Sequence, residues 1–266
     1  MLTRTWKRFT RWTRPMPAEW ARQQLAEQYP GVLNGFQCRP GTIDAKFFRT
    51  VVLENEYRLP RFELTDLVLD IGAHIGSFLA SAYVRGARRL VGFEPEPDNF
   101  AWLQRNARLL GGAASIENVA VWRSDRTGDV LTFAPLTSGY NTGQHSVVFG
   151  QAGHSIPTRS LDSILAEHTN EGREPVRFLK IDCEGAEFPI LMTSQCLGWV
   201  REIAGEFHEF LPENHQIGKM SPAAALDGVR EYTMPMLASH LEQRGFCVEF
   251  QRTRRYPNLG WFFARR

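Results

Sequence analysis

Three carboxylates and a lysine crowd into "FLKIDCEGAEF", residues 178–188: Lys180, Asp182, Glu184 and Glu187 follow directly on an apolar run. Taking an ion out of water costs several kcal/mol unless it is paired or used. Acids at the end of a buried strand therefore face either solvent or a site, where they accept protons or stabilise positive charge. A second stretch, "LDIGAHIGSF" (69–78), has the spacing Asp70-x-Gly72-x-x-x-Gly76. Its glycines let backbone approach a ligand closely. It is not G-x-G-x-x-G, because His74 stands where the middle glycine would be. An acid ahead of the loop repels phosphate and suits a cationic ligand. Glu94, in "GFEPEPDNF", ends the next apolar run, where a carboxylate can accept both ribose hydroxyls. A nucleoside without phosphates and with a positive amino-acid part satisfies all three features, which is the chemistry of S-adenosylmethionine. The glycine loop alone would serve equally as a tight turn, so the reading rests on the acids around it.

These groups need a parallel sheet to bring them together. "DLVLDIG", "RRLVGFEP" and "ASIENVAVW" read as strands, with helices over "SFLASAYVRG" and "PDNFAWLQRNARLLGG" between them. Gly86 ends the first helix and Pro97 opens the second. Strand and helix alternating at this spacing give βαβ units and a twisted parallel sheet. "RTGDVLTF" suggests a hairpin arm, "LDSILAEH" a short helix and "VRFLKID" the fourth strand, followed by a helix near 187–197. "WVREIAGEFHEF" is a fifth strand, carrying Glu206 and His208 on one face. "SPAAALDGVREY" and "MPMLASHLEQRG" read as helices, and "FCVEFQRTR" with "GWFFARR" as a closing antiparallel hairpin. Upstream, "DAKFFRTVVLENEYRLP" looks like short strands or a flap. The expected fold class is α/β, a Rossmann-like doubly wound sheet, mostly parallel with an antiparallel C-terminal hairpin. An N-terminal helical arm and flap (1–66) precede the main domain (67–266).

The 266 residues, 43% hydrophobic and 23% charged, suit one sizeable core with an appended segment. A net charge of +2 offers no strong field for nucleic acid, and none is expected as a partner. No apolar run approaches the roughly 20 residues of a membrane span. The N-terminus, "MLTRTWKRFTRWTRPM", is basic with no continuous apolar stretch, unlike a secretory signal. It reads as a docking or dimerisation helix, so a homodimer is its expected use. Cys38, Cys183, Cys196 and Cys247 form no C-x-x-C, which points to a reducing, cytoplasmic setting.

"VLDIGAHIGSF", "GFEPEPDNF", the hairpin after "ENVAVW" and above all "LKIDCEGAEFPIL" resemble the FkbM family of S-adenosylmethionine-dependent methyltransferases. "ENEYRLP" is similar too, and the resemblance covers roughly residues 50–210. It departs at His74, where this loop more often carries Asn. The resemblance implies a class I methyltransferase fold and often O-methylation of natural products or sugars, without fixing the substrate. On it, Asp70 and the loop of Gly72, Ala73, His74, Gly76 and Ser77 hold the methionine part of the cofactor. Glu94 and Pro95 take the ribose, and Asn118 and Val119 line the adenine. Asp182 adjoins the transferable methyl, and Asp182, Glu184 and His208 are the candidate catalytic groups, any of which could act as base. Residues 135–155 and 211–230 are expected to border the acceptor pocket.

Plainer roles compete for several residues. Glu187 suits a helix N-terminus, Lys180 a carboxylate partner, Trp122 the core, and His145 and His154 a solvated loop. Asp182, Glu206 and His208 would suit a divalent cation if they converged, but their spacing is no metal signature and no metal is expected. The expected partner is a small hydroxylated acceptor. N- or carboxyl-methylation and a non-catalytic cofactor-binding subunit are the alternatives. A nicotinamide oxidoreductase is disfavoured by the missing glycine.

Overall fold

The computed structural model describes residues 27–126, 131–133, 140–143, 146, 148, 154–210 and 221–266. Two short helices, α1 (Pro30–Gly35) and α2 (Asp44–Phe48), precede β1 (Leu67–Ile71). Then come α3 (Ser77–Val84), β2 (Arg89–Phe93), α4 (Pro97–Ala107) and β3 (Ala114–Glu117). The middle of the chain carries β4 (Ala120–Trp122), β5 (Leu131–Phe133), β6 (His154–Ile156), β7 (Thr158–Ser160) and α5 (Leu161–His168). It ends with β8 (Val176–Ile181), α6 (Glu187–Thr193), β9 (Glu202–His208), α7 (Met234–Gln243), β10 (Cys247–Arg252) and β11 (Leu259–Arg265).

Seven strands form one sheet in the order β10-β11-β9-β8-β1-β2-β3. β1 pairs in parallel with both β2 and β8, setting Asp70 beside Gly92 on one side and Lys180 on the other. β11 runs antiparallel between β9 and β10. This is the expected doubly wound, class I methyltransferase arrangement. From β1 the chain winds outward to β3, then restarts at β8 and winds the other way, so the strand order reverses between β1 and β8. Ligands of open α/β sheets bind at the carboxyl ends of strands at such a switch point.

Alternation along β1 divides the core. Leu67, Leu69 and Ile71 join the cluster under α5, α6 and α7, while Val68 joins the cluster under α3. That second cluster also takes in Val32, Val51, Tyr57, Leu59 and Phe62, so residues 30–62 pack directly on the sheet domain. Trp122 is buried in the core, as expected.

Five expectations change. "DAKFFRTVVL" is helical: α2 widens into a π-turn over Arg49–Leu53. Its β-branched valines mimic a strand, but Val51 and Val52 are buried and their carbonyls accept from Ser81 Oγ (2.9 Å) and Arg85 Nη2 (3.1 Å). "ASIENVAVW" is two strands, because Asn118 turns to donate to the carbonyls of Glu94 (2.7 Å) and Pro95 (3.1 Å). Beyond it, β4 leaves the main sheet and pairs with β7. β5, the end of the expected hairpin arm, pairs antiparallel with the distant β6. "SPAAALDGVREY" forms turns rather than a helix. The Arg123 guanidinium takes the carbonyls of Ala223 (3.0 Å) and Ala225 (2.7 Å), and Leu226 N donates to the Tyr232 hydroxyl. The helix after β8 stops at Thr193, where Asp162 accepts from Ser194 Oγ and the Gln195 amide. Among the described residues, no helix is long and apolar enough to cross a membrane. The basic arm, all but its last residues, lies outside the described residues, as do His145 and most of 135–155 and 211–220.

Candidate active site

An open cavity sits at the switch point. Its cofactor end is the loop between β1 and α3. Gly72 N and Ala73 N donate to the Phe93 carbonyl, and His74 N donates to Glu94 Oε2 at 2.7 Å. Gly72 has φ +76°, and a Cβ there would stand 1.9 Å from the Asp182 carbonyl oxygen. Only glycine fits where this loop crosses the end of β8. Gly76, at φ +93°, caps α3 in the left-handed region.

Glu94 lines the cavity and also holds the loop, accepting from His74 N and from Glu96 N (2.9 Å). Burial pushes its carboxyl up to about 7, against the pull of those two amides. Gly72, Ala73, His74, Ser77 and Pro95 line the same cavity. Ser77 Oγ and Asn99 Oδ1 are buried at its wall and find no hydrogen-bond partner among the described residues. Unpaired buried polar atoms are costly, so they mark places where a ligand would bond.

Three expected cofactor contacts are not where the sequence put them. Asp70 is fully buried beneath the cavity, outside its lining, with Lys180 Nζ 3.1 Å away. Lys180 also donates to the carbonyls of Gly72 (2.6 Å) and Ile71 (3.3 Å). Burial alone would lower the Lys180 pKa, but Asp70 and then Asp182 outweigh it and raise it. The pair pins β1 to β8, so the acid ahead of the loop is already neutralised. Asn118 and Val119 do not reach the cavity either: the Asn118 amide is spent on the β2 loop, and Val119 packs against the core. Ala120 and Val121 of β4 line the wall instead.

At the acceptor end, Asp182, Glu184, Glu206, Glu56 and Tyr57 share the lining. The Tyr57 hydroxyl donates to Asp182 Oδ2 at 2.9 Å. Burial, with the Asp182 charge, raises Glu206 well above the usual carboxylate range. His208 lies behind this wall, its Nε2 3.2 Å from Glu184 and its Nδ1 3.4 Å from Glu187. Burial opposes its protonation, yet Glu184 and Glu187 raise its pKa well above the usual value. A protonated ring has no lone pair to act as base, and the two carboxylates facing His208 favour that form. Glu187 is fully buried and accepts from Cys183 N (2.7 Å) and Gly185 N (2.9 Å), bracing the turn ahead of α6. Glu184 occupies that turn at φ +50°. Ligand atoms of Asp182, Glu184 and His208 lie within 4.8 Å of one another; Glu206, which the sequence offered only as a disfavoured member of such a cluster, is not in it. Of the expected acceptor borders, Gly143 lines the cavity and Ser146 Oγ donates to the Glu184 carbonyl (2.7 Å), but no residue of 221–230 lines it.

The sequence matches the family described as Methyltransferase FkbM domain over residues 70–246. The chain belongs to the FkbM methyltransferase family. It is 28% identical over 176 residues to the 31-O-demethyl-FK506 methyltransferase FkbM of Streptomyces tacrolimicus, covering 54% of this chain and 66% of that one. It is 24% identical over 246 residues to the methyltransferase sdnD of Sordaria araneosa, covering 81% and 87% of the two chains. The solved structure of methyltransferase FkbM from Methylobacillus flagellatus KT aligns with a TM-score of 0.46 at 13% identity, covering 92% of this chain and 60% of that one. The chain thus spans less than two thirds of the length of the Streptomyces relative and of that solved structure.

Several residues of this FkbM-family cavity were not legible beforehand. Glu56 and Tyr57 lie in "ENEYRLP", which matched the family without a role attached. Asn99 was hidden in the apolar pattern of α4. Arg39 and Asp44 carried no signal. They join Thr142 and His74 in one network: Asp44 accepts from Arg39 Nε (2.8 Å) and Thr142 Oγ1 (2.6 Å), and His74 Nε2 lies 3.0 Å from Arg39 and 2.9 Å from Thr142. Burial, with the Arg39 charge against the pull of Asp44, lowers His74 to about 4.

Proposed function

We propose that this chain is an S-adenosylmethionine-dependent methyltransferase that methylates a hydroxyl of a small natural product or sugar-containing metabolite. The observation that carries the reading is that the Gly72 loop and Asp182 open into one cavity at the switch point between β1 and β8. The residues present fit the cofactor: Ser77 Oγ and Asn99 Oδ1 await partners, and Glu94 can accept from a ribose diol. Ala120 and Val121 give a flat apolar wall for a base. The name of the Streptomyces relative, which records methylation at an oxygen, supports the choice of a hydroxyl.

Bound, S-adenosylmethionine would supply an electrophilic methyl on a sulfonium. The chain's own part is alignment and proton removal. Asp182 takes the acceptor proton at Oδ1, the oxygen not engaged by Tyr57. A bound sulfonium would favour the charged forms of Glu184 and Glu206, whereas an anionic acceptor would meet them unfavourably. His208 holds Glu184 and Glu187 in place as a cation. Calorimetry with S-adenosylhomocysteine and with NAD tests the cofactor, and transfer of labelled methyl to a panel of hydroxylated acceptors tests the reaction. Saturable binding of NAD and none of S-adenosylhomocysteine would overturn the reading.

A further inference from the structure

Tyr57 reaches the reaction chamber from outside the sheet, on a loop built to place it. Asn55 and Arg58 on either side both have φ +54°, a left-handed backbone that side chains other than glycine seldom adopt. The Asn55 amide braces the loop by accepting from Leu59 N (2.8 Å) and donating to Leu59 O (3.1 Å). Arg58 stacks 3.9 Å over the Phe263 ring on β11 and meets Glu249 of β10 at 3.3 Å. The Tyr57 ring stands edge-on to Phe78 and is 3% exposed. If the ring only filled space, its hydroxyl would be an unneeded buried polar group. Instead the hydroxyl donates to Asp182 Oδ2.

Asp182 needs that anchor because its surroundings pull it two ways. Lys180 and Asp70 lie beneath it, Cys183 and Glu184 follow it in the chain, Glu206 faces it from β9, Glu56 from the Tyr57 loop and His74 from the cofactor loop. The lysine draws the carboxylate down into the sheet, and the other acids repel it from the chamber. On the proposed methyl-transfer reading, we infer that Tyr57 is a positioning residue that donates to Asp182 and fixes the rotamer that presents its free oxygen to the acceptor. Burial and the charges of Asp182, Glu56 and Glu206 raise the phenol pKa well above 10, so the group remains a donor at working pH.

Tyr57→Phe keeps the ring and removes the donor. The expected result is a fall in kcat of roughly 10–100-fold, as for loss of a hydrogen bond to a charged group. Affinity for S-adenosylhomocysteine and the melting temperature should stay near wild type. In an Asp182→Asn background the same change should cost nothing more. Carbon-detected NMR of labelled aspartate reads the Asp182 carboxyl carbon without turnover, so it tests the anchor even if the proposed reaction is wrong: its chemical shift should move in Tyr57→Phe as the hydrogen bond is lost. An unchanged carboxyl shift, or an unchanged kcat in an active enzyme, would overturn the inference. Loss of S-adenosylhomocysteine binding would also overturn it, by making Tyr57 part of the cofactor site.

Discussion

Asp70 sits fully buried against Lys180, which donates onward to two carbonyls of the cofactor loop. Removing one partner of a buried pair strands the other charge and costs about 3–5 kcal/mol. Asp70→Asn is therefore expected to lower the melting temperature sharply, and calorimetry on the remaining folded protein should show cofactor affinity only modestly changed. Glu187 is also more than a helix-dipole residue, because it accepts two backbone amides and faces His208 while fully buried. Glu187→Gln should cost about 2–3 kcal/mol in denaturant unfolding, more than the few tenths to 1 kcal/mol of an exposed first-turn acid. Glu184 and Glu187 face the two ring nitrogens of His208 and favour its protonated form, which competes with a metal for the ring. Initial rates of methyl transfer should accordingly be unchanged by a chelator. Restoration of a lost rate by magnesium would show that the proton is displaced.

The polar network of Arg39, Asp44, Thr142 and His74 ties the N-terminal helices and the 140–143 turn to the cofactor loop. It carries a pH signature. His74 in the folded chain titrates near 4, below its ordinary value of about 6.5. Between those values the unfolded chain binds a proton that the folded chain refuses, so stability falls as pH drops from about 6.5 to 4. His74→Asn should flatten melting temperature against pH across that window, measured beside wild type. Asp44→Asn should loosen the same network, raising amide exchange at residues 73–76. Such networks leave no periodic trace in a sequence, which is why Arg39 and Asp44 went unmarked. Strands β1, β2, β8 and β9 were legible because each is a short apolar run ended by punctuation. Two of the failures share a cause: distant side chains took backbone carbonyls. Arg123 did so at 223 and 225, and Ser81 and Arg85 did so at the valine run. Local pattern cannot report a partner 30 to 102 residues away. The acceptor acids were legible because charge at a strand end is conspicuous. Asp70 was misplaced because its partner, Lys180, sits on another strand and only the register joins them.

Across the whole molecule, the sheet order puts the two most informative stretches of sequence on adjacent strands, and residues 30–62 wall the chamber they share. A chain shortened to begin at residue 67 would lose Phe47, Val51, Glu56 and Tyr57 from the cavity lining and uncover the apolar face under α3. It should bind S-adenosylhomocysteine far more weakly and expose dye-binding apolar surface, as calorimetry and ANS fluorescence would read. The place where Gly72 crosses the end of β8 has a further meaning for the proposed reaction. The loop that would cradle the donor rests on the carbonyl of Asp182, and the Asp182 amide donates to Ile71. Thermal displacement of one is thereby shared by the other. The gap between methyl donor and proton acceptor then fluctuates less than either does in the laboratory frame. A misplacement of about 1 Å can cost a hundredfold in rate. Here the critical spacing is gauged across a single backbone contact, while the outer walls remain free to vary with the shape of the acceptor.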